Sequence, residues 1–349
     1  MNIMKPLVSI LIPAFNSAEW IAATIQSAVL QSWPNKEIIV VDDGSVDRTY
    51  EIARKFESNR VLVTRQTNQG AASARNKAFS LCSGEFIQWL DADDLLDPRK
   101  IAVQLEALKT TDSKKTLLSS AWGRFYYCTQ KARFTETSLW TTLSPIDWLV
   151  RCYSNSHWMA NSSWLVNREL TTTVGPWNTR LSLDDDGEYF CRVVLASDII
   201  KFVPQAKVFC RRSLGSLSYV GSCSRKMDSQ FLSMKLQFGH VRAREDSERI
   251  RLACLAYLKQ VILYFFPDRP DLVAEVQKLA VQIGGEIEQP DLPLKYYLLK
   301  ALFGVRIANR LRLAYNRNKI SARMWLEKNL LVNYPRTCSK NEVHKEDLK

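Results

Sequence analysis

Apolar residues run unbroken from Leu7 to Ile12, and again through Ile38-Ile39-Val40-Val41 before the chain turns polar at Asp42-Asp43-Gly44-Ser45. Short apolar runs rich in β-branched residues predict strands buried on both faces. Between them, residues 18–31 carry apolar side chains at Trp20, Ile21, Ile25, Ala28 and Val29, a helical spacing closed by Trp33-Pro34-Asn35. The three segments predict one β-α-β unit. The same reading gives a second helix over 47–58, a third strand over 60–64, a third helix over 70–81 and a fourth strand over 85–90 that ends at Asp91. Strand and helix alternate, so an α/β fold with a mostly parallel sheet is expected.

Beyond Lys100 the pattern loosens into segments dense in Trp, Tyr and Phe. Asp184-Asp185-Asp186 then opens a helical spacing that runs through Arg192, and from Arg225 onward the pattern is helical. The expected organisation is an α/β domain over 1–220 and a basic helical region over 221–349. The charge supports that division. The net charge is +12, yet residues 1–220 hold 25 Lys+Arg against 22 Asp+Glu while residues 221–349 hold 23 against 14. A nucleic-acid footprint would interleave its cations with the aromatics, whereas here the aromatics crowd the middle and the cations the tail, so no nucleic-acid partner is expected. The 8 cysteines form no C-x-x-C pair and no zinc spacing, as expected of reduced thiols. No apolar run approaches the ~18–20 residues of a spanning helix, and Pro13 interrupts the first apolar stretch. A cytoplasmic chain is expected.

In open parallel sheets, ligands bind beyond the carboxyl ends of the strands. Those ends carry Pro13-Ala14-Phe15-Asn16, Asp42-Asp43-Gly44-Ser45 and Asp91-Ala92-Asp93-Asp94. Asp91 and Asp93, two residues apart at a strand end, suit one hard cation such as Mg²⁺ or Mn²⁺ with positions left for phosphate oxygens. The same residues also suit a solvated turn, with Asp94 as a cap. The Asp42-Ser45 segment reads either as a turn or as a carboxylate beside a glycine that admits a base N–H and a ribose hydroxyl. Gly70 with Ala71-Ala72-Ser73-Ala74-Arg75 reads as helix packing, or as a helix start where backbone donors and Arg75 face an anion. Asp184-Asp185-Asp186 exceeds what an N-cap needs. Mutual repulsion raises at least one of these carboxylates, which makes it a candidate general base.

Taken together, the blocks VSILIPAFN (8–16), EIIVVDDGSVDRT (37–49), NQGAASARNKAF (68–79), GEFIQWLDADD (84–94), NSSWLVNREL (161–170), VGPWN (174–178), DDDGEYFCR (184–192) and RRSLGSLS (211–218) resemble the inverting nucleotide-sugar glycosyltransferases of family 2 with the GT-A fold. The resemblance covers roughly residues 6–220. It implies that Pro13, Ala14, Phe15 and Asn16 line the nucleobase, that Asp43 or Asp42, with Gly44 and Ser45, meets the base or ribose, and that Arg75 lies near the nucleotide. Asp91 and Asp93 match the family's D-x-D, which binds the ribose and, through a divalent metal, the diphosphate. Asp185 and Asp186 match the acidic pair before the aromatic helix, with Asp186 as catalytic base. Arg211 and Arg212 fall beside the diphosphate.

Three departures stand out. Ala18 occupies the place of a common Glu, with Glu19 beside it. Asp185 replaces the more usual Glu. Ser213 stands where relatives often carry His. The implied activity is inverting, metal-assisted sugar transfer from a nucleoside diphosphate to an acceptor hydroxyl in polysaccharide or cell-envelope assembly. The alternative is a nucleotide-sugar-binding or membrane-associated scaffold without turnover; carboxylates at 91, 93 and 186 speak against it.

The tail adds a second expectation. Between Asp291 and Glu327 there is no acidic residue, while Lys295, Lys300, Arg306, Arg310, Arg312, Arg317, Lys319 and Arg323 interleave with Leu294, Leu298, Leu302, Leu311 and Tyr315. This pattern suits either a helix lying on an anionic membrane, peripheral at the cytoplasmic face, or an apolar face packed on the preceding domain with its cations in solvent.

Overall fold

A computed structural model describes residues 5–110, 115–212, 223–288, 292 and 294–331. Ser213 and most of the RRSLGSLS block lie outside the described residues. The first sheet contains β1 (Val8–Ala14), β2 (Lys36–Asp42), β3 (Val61–Arg65), β4 (Phe86–Trp89) and β8 (Val166–Asn167), in the order β3-β2-β1-β4-β8. The first four strands run parallel and β8 pairs antiparallel at the edge. All seven residues of β1 are buried, as a central strand covered on both faces requires. Helices α1 (Ile21–Val29), α2 (Thr49–Arg54) and α3 (Ala71–Leu81) form the crossovers. α2 starts later than expected, where Asp47 accepts from the Thr49 amide and hydroxyl and from the Ala18 amide, and it ends earlier, at Arg54, where three-residue turns through Lys55, Phe56 and Glu57 take over.

The second sheet contains β5 (Leu95–Leu96), β6 (Thr116–Phe125), β7 (Arg133–Phe134) and β9 (Ile199–Arg211), ordered β5-β9-β6-β7, and α4 (Lys100–Leu108) packs on its β9 and β6 strands. β5 directly follows the Asp91-Asp93 turn and pairs Leu95 with Phe209. That register carries the end of β9, and with it Arg211, to the strand ends of the first sheet. α5 (Pro145–Asn155), α6 (Arg168–Val174) and α7 (Asp185–Ala196) complete this half.

Three further helices follow: α8 (Ser224–Arg244), α9 (Glu248–Phe265) and α10 (Pro270–Ile283). Their buried faces, including Met234, Phe238, Leu258, Phe265 and Val276, belong to the same hydrophobic core as β1 and β4. The apolar core therefore runs past residue 220. A small separate cluster of Leu292, Tyr296 and Ala308 supports α11 (Tyr297–Leu331), which Gly304 interrupts at φ 75°.

Candidate active site

The loops after β1 and β2 are tied to each other. Asn16, at φ 46°, receives the Val46 amide on its side-chain oxygen while its own amide donates to the Ser45 hydroxyl. Pro13 and Ala14 are buried in the strand, so of the expected base-lining residues Phe15 offers an exposed ring. Asp42 and Asp43 are both buried, and they differ in what they bind. Asp43 braces the entry to α3: its carboxylate accepts from the Gln69 and Gly70 amides and from Gln66. Asp42 uses one oxygen for Arg65 and the Ser45 amide, while its Oδ1 is buried without a protein partner. Gly44, at φ 72°, passes so close to Asn68 that a Cβ there would sit 2.8 Å from the Asn68 amide nitrogen.

Arg75 is the centre of the site. Its guanidinium gives one amino group to Asp91 Oδ1 at 2.9 Å and the other to Asp185 Oδ2 at 2.6 Å. Its plane lies over the Trp177 ring, 4.4 Å from the centroid. The side chain is 8% exposed. Burial alone would lower its affinity for a proton, but Asp185 and Asp91 outweigh burial and hold it above its ordinary value. The sequence placed Arg75 near an anion; the anions it grips are the protein's own, and it joins the D-x-D turn to the start of α7.

The D-x-D turn is held on its other flank by two residues the sequence reading passed over. Asn161 donates to Asp91 Oδ1 at 2.9 Å, and Ser162 donates to Asp94 at 2.9 Å. Asp94 also accepts the Arg211 amide at 3.0 Å, so it ties the two sheets together instead of capping a turn. Asp93 is pushed up to about 6, first by burial and then by Asp91. Arg211 donates to the Asp93 carbonyl and is sandwiched between Trp20 and Phe125, its guanidinium carbon 4.0 and 4.4 Å from the two centroids. Arg212 bonds through its backbone to Phe125 and leaves its side chain exposed.

At α7 the three carboxylates take three different environments. Asp184 is left-handed at φ 58° and makes no side-chain cap. Its Oδ2 turns to α8 instead, accepting from Gln230, Ser233 and Gln237 at 3.0, 2.8 and 2.9 Å, and burial with the nearby Asp186 pushes it up to about 7. Asp185 is paired with Arg75. Among the described residues Asp186 accepts a hydrogen bond only from the adjacent Gly187 amide, and burial together with Asp185 pushes it up to about 6 against the pull of Arg75. A carboxylate raised toward neutrality and kept out of ion pairs has the properties of a general base. Further along α7, Glu188 pairs with Arg192 and His240, and Arg192 also holds the Val174 and Pro176 carbonyls. This fixes the loop carrying Trp177, which Asn76 grips from α3 through two hydrogen bonds.

Among the described residues no three ligating side chains converge into a ready-made metal centre. Asp91 and Asp93 nevertheless fit a hard divalent ion. Both offer oxygen, and Mg²⁺ or Mn²⁺ characteristically binds one or two carboxylates and completes its shell with water and substrate phosphates. The mutual repulsion that raises Asp93 is the kind a cation relieves.

This arrangement, a parallel sheet with acidic strand ends facing a second mixed sheet, is the GT-A glycosyltransferase fold. The structure of S. aureus TarS 1-349 in complex with UDP-GlcNAc matches it with a TM-score of 0.63 at 18% identity, covering 79% of this chain and 81% of that one. Residues 9–155 match the model of glycosyl transferase family 2. An uncharacterized glycosyltransferase of Rickettsia typhi is 34% identical over 152 residues, which is 42% of this chain and 48% of that protein. The UDP-Glc:alpha-D-GlcNAc-diphosphoundecaprenol beta-1,3-glucosyltransferase WfaP of Escherichia coli is 40% identical over 105 residues, 30% of this chain and 42% of its own length. The match spans about half the length, or less, of these curated relatives.

Proposed function

We propose that this chain transfers a sugar from a nucleoside diphosphate sugar to a hydroxyl of a saccharide or lipid-linked saccharide acceptor, with inversion at the anomeric carbon. The observation that carries the reading is the double grip of Arg75, which brings the D-x-D turn and the acidic start of α7 to one guanidinium. Asp186 accepts the proton of the acceptor hydroxyl. The hydroxyl oxygen bonds to the anomeric carbon as the bond from that carbon to the phosphate oxygen breaks, and its electron pair stays on the departing diphosphate. Asp91 and Asp93 would hold a divalent ion, Mn²⁺ or Mg²⁺, which when bound supplies charge neutralisation to the diphosphate. Phe15 faces the base, Asp42 with Gly44 and Ser45 forms the base and ribose wall, and Arg211 lies beside the diphosphate. Asp43 serves this wall indirectly, by fixing the loop that carries Gly70.

The printed donor and acceptor of WfaP, and the UDP-GlcNAc held by TarS, make uridine diphosphate sugars and a diphospholipid-linked saccharide the first substrates to try, in the setting of cell-envelope polysaccharide assembly. No helix of the described residues is long and apolar enough to cross a membrane. Work on a lipid-linked acceptor is proposed at the cytoplasmic face of a bilayer. Incubation with uridine, guanosine and thymidine diphosphate sugars, an acceptor and Mn²⁺, followed by NMR of the product, tests the reading. Release of nucleoside diphosphate with an inverted anomeric linkage is expected. A retained configuration, or full turnover in excess chelator, rejects the mechanism.

A further inference from the structure

Among the described residues α11 leaves an apolar stripe uncovered. Ile307, Leu311, Tyr315, Trp325 and Leu326 recur at intervals that one helix face shares, and all five are exposed, Tyr315 at 60% and Trp325 at 65%. Leu298 and Leu302, before the break at Gly304, are exposed at 75% and 67%. Single exposed apolar side chains need no explanation, but a row of them along a helix marks a contact surface.

The opposite face is the one that packs on the protein. Asn309 and Glu327 are buried on it, while Ala308, at the edge of the stripe, packs with Leu292 and Tyr296; Asn309 donates to the Phe266 carbonyl at 3.0 Å, and Glu327 receives the Tyr127 amide at 3.1 Å. The helix is thereby held at two points with its apolar stripe turned away from the body. Most of the apolar stripe and the face that carries Asn309 and Glu327 are therefore different faces of one helix.

The charge identifies the occupant. At about 100° per residue, Arg306 and Arg310 fall along one border of the stripe and Arg312, Lys319 and Arg323 along the other, while Lys328 turns to the Tyr127 ring, 5.7 Å from its centroid. From residue 292 to 326 the sequence holds no acidic residue, and Glu327 is turned inward to Tyr127. A second protein chain bound to this stripe would need acidic partners for both borders, and a second copy of this helix would set cation against cation. A layer of anionic headgroups over an apolar interior satisfies stripe and borders together. We infer that α11 is an in-plane docking helix for an anionic phospholipid bilayer. Its apolar stripe sinks to the boundary between headgroups and acyl chains, and its two rows of cations meet lipid phosphates.

The docking surface is joined to the site. Tyr127, fastened by Glu327, lies 5.5 Å from Trp20, and Trp20 lies under Arg211, which holds the Asp93 carbonyl. The docking helix is therefore linked through packed side chains to the turn that carries Asp93. The statement that the docked cleft meets a lipid-linked acceptor rests on the proposed transfer activity; the docking itself does not.

Co-sedimentation of the full chain with vesicles of phosphatidylcholine alone and of phosphatidylcholine mixed with phosphatidylglycerol tests the inference. Binding is expected to the anionic vesicles only and to weaken as salt rises. Ile307→Ser, Leu311→Ser and Trp325→Ser together should weaken it by ~100-fold or more. Arg306→Gln with Arg310→Gln should weaken it by ~10-fold and flatten the salt dependence. Circular dichroism, the melting temperature and donor-sugar hydrolysis in solution should stay unchanged in both variants, since none of these residues touches the site. Equal sedimentation with neutral and anionic vesicles, or none with either, overturns the inference. So does a dimer in analytical ultracentrifugation that the triple serine variant dissolves without any loss of vesicle binding. Loss of turnover with docking intact counts against the transfer reading alone.

Discussion

Replacing Arg75 by Met removes a buried guanidinium and leaves the two carboxylates it bridges facing one another. Removing one partner of a buried pair costs about 3–5 kcal/mol because the remaining charge stays desolvated. Here Asp185 is 16% exposed, near that limit, while Asp91 is 35% exposed and partly solvated. Solvent screening of Asp91 discounts that range, and about 2–4 kcal/mol of stability should be lost in urea or thermal unfolding at pH 7. Arg75→Lys keeps the charge, but one ammonium cannot reach both carboxylates or stack flat on Trp177, so it should recover about half the loss. A second readout separates this pairing from mere packing. Arg75 is one of the influences that holds Asp186 down, so in the Met variant the acid limb of kcat should move to higher pH. An Arg75→Met protein as stable as the parent, or an acid limb that stays in place, refutes the bridging role.

With Asp186 near 6 and required in its ionised form, kcat of the parent enzyme should rise with pH through about 6 and level off above it. A rate that falls over that interval assigns the base elsewhere. Asp184→Asn tests the anchor to α8. A carboxyl raised from 3.8 to about 7 in the folded state contributes stability that is fully present below 3.8 and is lost as pH rises through 7, so the variant should be more stable than the parent by about 1–3 kcal/mol at pH 8 and equal to it near pH 4. Identical melting temperatures at both pH values would contradict this. Gly187→Ala places a Cβ 2.4 Å from the Asp184 carboxylate, which three hydrogen bonds hold in place, and should lower stability by about 1–3 kcal/mol in calorimetry.

The first sheet was legible because its signals are local. Each of β1, β2 and β4 is a short apolar run that ends in a polar turn, and the crossover helices carry their own periodicity. The places of Asp91, Asp93 and Asp186 at element ends were legible for the same reason. What the pattern could not show is pairing across long stretches of chain. Arg211 reaches Asp94 only because β5 pairs with β9, more than a hundred residues later. Asp184 looks like a helix cap in sequence, but its partners sit on α8, in the segment read as a separate region. Asn161 and Asn76 are ordinary polar residues until Asp91 and Trp177 arrive beside them. Asp42 and Asp43 are indistinguishable in sequence, and only the α3 entry loop decides which one keeps a buried oxygen unpartnered.

Asp186→Asn isolates the general base, because the amide keeps the size and the Gly187 contact but cannot take a proton. The account predicts a kcat lowered by ~10²-fold or more, with donor affinity by calorimetry changed by less than about twofold. Turnover close to the parent's, or loss of donor binding in step with activity, would contradict it.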